Sequence, residues 1–163
     1  MRKVVKILAT ALVLVVMMTL SGCGVISLSD FKFEGAKVID FDLNKGARVE
    51  MTITNNSLFK VTIVGGELGA HYKGAAIGDI YMKNSVVLPR KSTTTVTLDV
   101  GLKFSSPMVA LTALRALTSS PEDITVTGYG EGKVWFVSKR FERRDVPLSK
   151  FIDIFGQPSQ YLK

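Results

Sequence analysis

Cysteine is almost missing from this chain: Cys23 is the only one among 163 residues. An internal disulfide is therefore unavailable, and the fold must be held by packing. Histidine is equally scarce, with His71 alone. A serine or cysteine nucleophile needs a neighbouring base, and a structural zinc site draws its ligands from several His and Cys residues. Neither set can be built from one residue of each kind, so no metal is expected. Glycine-rich segments occur at Gly65-Gly66 and Gly128-Tyr129-Gly130-Glu131-Gly132, but neither is followed by a Lys-Ser or Lys-Thr helix start. A phosphate-binding loop is excluded on that ground. Charge is absent from Ile7 through Ser29, and that gap organises the front of the chain.

Arg2, Lys3 and Lys6 precede the gap, and Ile7 to Leu20 form an uncharged, mostly apolar run. The run is long enough to enter an export channel and short for a bilayer span. Leu20-Ser21-Gly22-Cys23 follows. A bulky apolar residue, two small residues and a cysteine resemble the lipobox of bacterial lipoproteins. The resemblance implies cleavage before Cys23, a diacylglycerol on its sulfur, and acylation of the new amine. Residues 1–22 are then an export signal and 23–30 a tether. An uncleaved anchor is the competing reading, drawing on the whole uncharged stretch. The apolar character collapses at Ser21-Gly22-Cys23-Gly24, which counts against it, and lipidation explains a lone cysteine in an exported protein. The covalent lipid on Cys23 is the one non-protein group expected; no cofactor is. One acyl chain binds marginally, at about 0.8 kcal/mol per buried methylene, whereas several chains hold a protein to a leaflet almost permanently. The expected place is the cell envelope. Gly24 replaces the aspartate that retains enterobacterial lipoproteins in the inner membrane, which favours the outer membrane in a diderm host.

Without Arg2, Lys3 and Lys6, and with no acidic residue lost, the formal charge falls from +7 to +4. A mildly basic domain lacks the clustered footprint of a nucleic-acid binder. The remaining residues fit one domain. Alternation dominates them, as in half-buried strands. Phe31 and Phe33 alternate with Lys32 and Glu34; Val49, Met51 and Ile53 with Glu50, Thr52 and Thr54; Phe59, Val61 and Ile63 with Lys60 and Thr62. Leu68, Ala70 and Tyr72 continue the pattern, then Val96, Leu98 and Val100. Ile124 and Val126 start another strand, and Val134 and Phe136 another. Turn residues stand between: Asn44-Lys45-Gly46, Asn55-Asn56-Ser57, Gly65-Gly66, Lys73-Gly74, Pro89-Arg90-Lys91-Ser92 and Gly130-Glu131-Gly132. This predicts an all-β, antiparallel sandwich of about seven strands. One α-helix is inserted at about 107–118. Ser105-Ser106-Pro107 supplies its start, and Met108, Leu111, Leu114 and Leu117 form an apolar stripe expected to cover the sandwich. The domain is set at 31–155, with Phe151-Ile152-Asp153-Ile154-Phe155 packed and 156–163 a tail.

Several segments in this order carry a family resemblance. Val49-Glu50-Met51-Thr52-Ile53-Thr54-Asn55-Asn56 ends a strand in an asparagine turn. Phe59-Lys60-Val61-Thr62-Ile63 and Gly66-Glu67-Leu68-Gly69-Ala70-His71-Tyr72-Lys73-Gly74 follow. Val87-Leu88-Pro89-Arg90-Lys91-Ser92-Thr93-Thr94-Thr95-Val96-Thr97-Leu98 leads a threonine-rich strand from a proline. Ile124-Thr125-Val126-Thr127-Gly128-Tyr129-Gly130 closes the set. Together, over Phe31 to Lys150, they resemble the late embryogenesis abundant group 2 family, the water-stress and hypersensitive-response domain. Asn55-Asn56-Ser57 lacks the proline of the family's usual turn. The resemblance implies an immunoglobulin- or fibronectin-III-like sandwich with a late inserted helix, association with stress tolerance, and no catalytic residues.

Few residues offer chemistry. Asp40 and Asp42 share a face of an extended segment, and paired carboxylates run glycoside hydrolysis. A solvated loop edge is the expected role. His71 sits mid-strand and is expected to be structural or exposed. Lys139-Arg140-Phe141-Glu142-Arg143-Arg144 is the densest charge patch. Lys139, Arg140, Arg143 and Arg144 are candidates for lipid-headgroup or partner contact, at about 1 kcal/mol per cation near an anionic surface; charges protecting an edge strand are the plainer reading. The function expected is a membrane-anchored, non-enzymatic binding or envelope-protecting lipoprotein, with the membrane and an envelope protein or glycan as partners. The alternatives are a docking lipoprotein of a secretion system or pilus, and an enzyme acting on glycans or lipids through Asp40, Asp42 and His71.

Overall fold

The structure, a computed structural model, describes residues 27–42 and 44–150, together with residues 2, 5, 6, 9, 10, 12 and 13. Leu20, Ser21, Gly22 and Cys23 lie outside the described residues, as do Phe151 to Phe155 and the tail 156–163. Among the described residues eight strands run in the order β1 (Phe31–Asp42), β2 (Gly46–Asn55), β3 (Val61–Tyr72), β4 (Ala75–Met82), β5 (Val86–Leu88), β6 (Ser92–Phe104), β7 (Ile124–Val134) and β8 (Val137–Pro147). All pairings are antiparallel, along the path β1-β2-β6-β4-β3-β7-β8, with β5 beside β3. The result is an all-β, sandwich-like fold whose inward faces make one core.

Alternation decides which side faces in. In β2, Val49, Met51 and Ile53 are buried; in β6, Leu98 and Val100; in β3, Val61, Ile63 and Leu68. The outward residues between them pair across strands. Thr52 meets Thr95 at 3.1 Å and Thr54 meets Thr93 at 2.6 Å, hydroxyl to hydroxyl. Such cross-strand pairs fix register in the way alternation requires. Gly46 opens β2 at φ +103, and a Cβ there would stand 2.0 Å from the Val100 carbonyl oxygen. Glycine is needed at this turn on both counts.

Four sequence expectations change. Gly65-Gly66 is not a turn but an irregularity within β3, where the register shifts between Ile63 and Gly65. That makes 61–72 one strand. Gly130-Glu131-Gly132 likewise lies inside β7. The real reversal falls at Trp135-Phe136, because Val134 pairs with Val137. Phe136 is therefore a turn residue and not part of a strand with Val134. The helix spans Pro107–Ser119, with the Ser106 hydroxyl accepting from Val109 N at 3.2 Å. Its stripe only partly covers the sandwich: Ala116 is buried, but Met108 is 73% and Leu111 55% exposed.

Val5, Ala9, Leu12 and Val13 are helical and buried in the same apolar cluster as the sandwich core. Their i, i+4, i+7, i+8 spacing sets them on one helical face. An apolar helical face in water takes cover on whatever apolar surface is within reach. Among the described residues no helix is long and apolar enough to cross a membrane.

Candidate functional site: the end of the sandwich at the entry to β1

One end of the sandwich collects four pieces of chain. They are the entry into β1 at Ser27–Asp30, the β2–β3 loop at 56–60, the β5–β6 turn at 89–91 and the Trp135-Phe136 turn. Backbone bonds tie them together. Asn56 N donates to Asp30 O at 2.7 Å, and Lys91 N to Ser57 O at 3.3 Å. Asn55 is fully buried at the centre. Its Nδ2 donates to the Phe59 and Leu88 carbonyls, each at 3.0 Å. Its Oδ1 accepts from Ser57 N at 3.0 Å and Ser57 Oγ at 2.7 Å. A buried amide with both ends satisfied joins β2, the β2–β3 loop and β5 at this corner.

The outermost part of this end is apolar. Leu58 is 68%, Trp135 69% and Phe136 73% exposed, and Val137 and Val87 are also exposed. Trp135 packs between Phe59, at a ring-centroid separation of 6.3 Å, and Phe136, at 4.7 Å. It is the only tryptophan in the chain, and its φ is +58. The first position of a two-residue hairpin turn of this hand favours glycine, and a bulky residue there is strained. Lys60, Arg90, Lys91 and Lys133 are exposed around the aromatic tip. Of the nearby carboxylates, Asp30 accepts from Ser27 N at 2.8 Å and Glu34 lies 3.3 Å from Lys32 Nζ. Sequence reasoning missed this cluster because aromatic residues at 135–136 count toward a strand pattern, not a turn.

Trp135→Gly is expected to stabilise the protein against denaturant by about 1 kcal/mol, since it relieves a strained φ and removes an exposed ring. A shift of the urea midpoint to lower concentration would contradict the strained-turn account.

The sequence-derived candidates fall elsewhere or only partly here. β8 is an edge strand. Lys139 and Arg140 face Gly132 and Glu131 across the β7–β8 ladder, close to the tip, whereas Arg143 pairs with Gly128, farther along. Arg140 stacks on the Tyr129 ring at 3.7 Å, and Arg144 Nη2 meets Glu142 Oε1 at 2.9 Å. The four cations thus do not form one site. Asp40 and Asp42 lie toward the opposite end. Asp42 Oδ1 accepts from the backbone N–H of Asn44 at 2.8 Å and of Lys45 at 3.0 Å. Those bonds hold its carboxyl below the usual range. Asp40 stands opposite Arg48 in the β1–β2 register, and Arg48 bonds Asp99 at 2.7 Å, which raises the guanidinium's pKa. His71 in β3, opposite Thr125 of β7, has a buried Nδ1 without a hydrogen-bond partner among the described residues. Among the described residues no group of three or more His, Cys, Asp or Glu is placed to hold a metal.

A family model described as late embryogenesis abundant protein matches residues 50–151. No curated protein matches the chain. Several solved structures are similar, among them the following two. A protein from Archaeoglobus fulgidus aligns at a TM-score of 0.41 and 14% identity, over 69% of this chain and 94% of its own. DesR, a β-glucosidase from Streptomyces venezuelae in complex with D-glucose, aligns at a TM-score of 0.30 and 14% identity, over 69% of this chain and 14% of its own.

Proposed function

This chain belongs to the group 2 late embryogenesis abundant family, and on that premise we propose that it is a lipoprotein, anchored through Cys23, whose sandwich protects the cell envelope under water stress without catalysing a reaction. The observation that carries the proposal is the family membership joined to a lone cysteine in Leu20-Ser21-Gly22-Cys23. The family suggests a water- and stress-related, non-enzymatic module. The cysteine motif supplies the place of work. Under this reading the apolar helical face of Val5, Ala9, Leu12 and Val13 belongs to the export signal and leaves with it.

The bonding of Asp42 makes it a poor general acid. A general acid of a glycosidase needs a pKa raised toward the working pH. Asp42 is shifted the other way, by two backbone N–H groups that favour its charged form. Its bonds hold the β1–β2 turn and leave it a structural part.

The test is genetic. Cells lacking the protein should survive drying or osmotic shock less well, and the wild-type chain should restore them. The triple variant Asp40→Asn/Asp42→Asn/His71→Gln should restore them equally well, since asparagine at 42 still accepts the turn's hydrogen bonds. A triple variant that folds and reaches the envelope but restores nothing would favour the enzyme. A deletion without any stress phenotype would remove the protective role.

A further inference from the structure

The aromatic end faces the same way as the chain's exit toward Cys23. Asp30 O accepts from Asn56 N, and the loop that follows Asn56 carries Leu58 and Phe59. Phe59 in turn touches Trp135. The first described residue of the tether, Ser27, is hydrogen-bonded back to Asp30 at this corner. Ser27 stands four chain steps from Cys23, and even fully extended four steps span no more than about 14 Å. A lipid on Cys23 would therefore hold this end, and not the opposite one, against the leaflet.

We propose that the β7–β8 hairpin tip is a second membrane contact: Trp135 and Phe136, with Leu58 beside them, enter the interface of an anionic leaflet while Lys60, Arg90, Lys91 and Lys133 meet its phosphates. The inference rests on the lipoprotein reading for its orientation and on independent surface chemistry for the contact. Tryptophan is suited to a bilayer interface, where one side of the ring is apolar and the N–H stays wet. Two adjacent aromatic residues exposed by about 70% in water form an apolar patch that calls for an occupant. The surrounding cations select a negatively charged one. The strained φ of Trp135 has the same sense, because a turn built for stability alone would carry glycine or asparagine there. A single lipidated residue at the end of a short tether fixes distance and leaves the domain free to tilt; a hairpin tip in the interface fixes the tilt too.

The only tryptophan is itself the probe. The full protein, isolated from its own envelope, is placed in vesicles of phosphatidylethanolamine and phosphatidylglycerol, with and without bromine on the acyl chains near the headgroup. Trp135 emission should shift to the blue, be quenched by the brominated lipid and become shielded from iodide in the water. Phe136→Ser, an exposed position that leaves the core intact, should weaken the tip's partitioning on the order of tenfold. Lys60→Glu/Lys133→Glu should abolish the preference for anionic over neutral vesicles. Emission that stays red-shifted, open to iodide and insensitive to bromine would overturn the inference. So would shielding by a second copy, seen as a Trp135 shift that follows protein concentration and ignores lipid. The mass of the same sample separates the two readings. Acylated protein with unquenched Trp135 sinks the hairpin contact and leaves the lipoprotein standing. Quenched Trp135 on an unacylated chain sinks the lipoprotein and leaves the contact.

Discussion

Asn55→Ala is expected to destabilise the protein by about 3–5 kcal/mol, a large share of the stability of any single domain. The side chain is fully buried and makes four hydrogen bonds. Alanine strands the Leu88 carbonyl and the Ser57 N–H without partners in a place water does not reach. The Phe59 carbonyl is spared, because Ser57 Oγ also donates to it, at 3.0 Å. Each stranded buried group costs about 1–3 kcal/mol. The loss of the shared corner between β2, the β2–β3 loop and β5 comes on top. The neighbouring Asn56→Ala gives the contrast. Asn56 is exposed, and its bond to Asp30 uses the backbone N–H, which alanine keeps. Its effect should stay within about 0.5 kcal/mol. Urea denaturation of both variants, with the slope checked for constancy, measures the difference. Equal effects at 55 and 56 would show that the corner does not hold the fold.

Cys23→Ser is expected to release the protein from the membrane fraction altogether. The estimate follows from chain counting. A single acyl chain gives only marginal binding, while two or more give attachment that does not reverse on the time scale of a fractionation. Serine keeps the size of the site and removes the sulfur that would carry the proposed lipid. The hairpin tip alone, with two aromatic residues and a few cations, is too small to hold the chain through washing at high salt, which screens the phosphate contacts. Fractionation of cells expressing wild type and variant, followed by a salt wash, reads the outcome. A variant that remains with the membrane after the wash would point to anchoring by the apolar run Ile7 to Leu20.

Much of the fold was legible in the sequence because antiparallel strands announce themselves by alternation and their turns by polar punctuation. Val49 to Asn55 shows both, and its Asn55-Asn56-Ser57 turn is where the structure places it. The helix was legible from Ser106 and Pro107, since capping is a local matter. What was not legible is set by distant partners. Gly65-Gly66 has the composition of a turn. It stays in β3 because Gly66 faces Gly130 and Gly65 faces Glu131 on β7, and the long pairing overrides the local preference. Trp135-Phe136 shows the converse, a turn made of residues that favour strands. The β7–β8 ladder fixes it at both flanks, and the residues bear the strain. Met108 and Leu111 show a limit of another kind, since helical spacing gives a common face and does not say what lies opposite it.

The candidate site divides in the same way. The basic run from Lys139 to Arg144 was visible as composition. Its dispersal along an edge strand was not, because it depends on where β8 pairs. The aromatic end was invisible as a site until the chain's entry, the β2–β3 loop and the hairpin tip were brought to one corner.

Work at a membrane through lipid on Cys23, as proposed, is tested by the intact mass of the protein recovered from the envelope. The expected chain begins at Cys23 and carries added diacylglycerol and acyl mass on that residue. A chain that begins at Met1, with an unmodified Cys23 and the segment around Val5 to Val13 still in place, would contradict it.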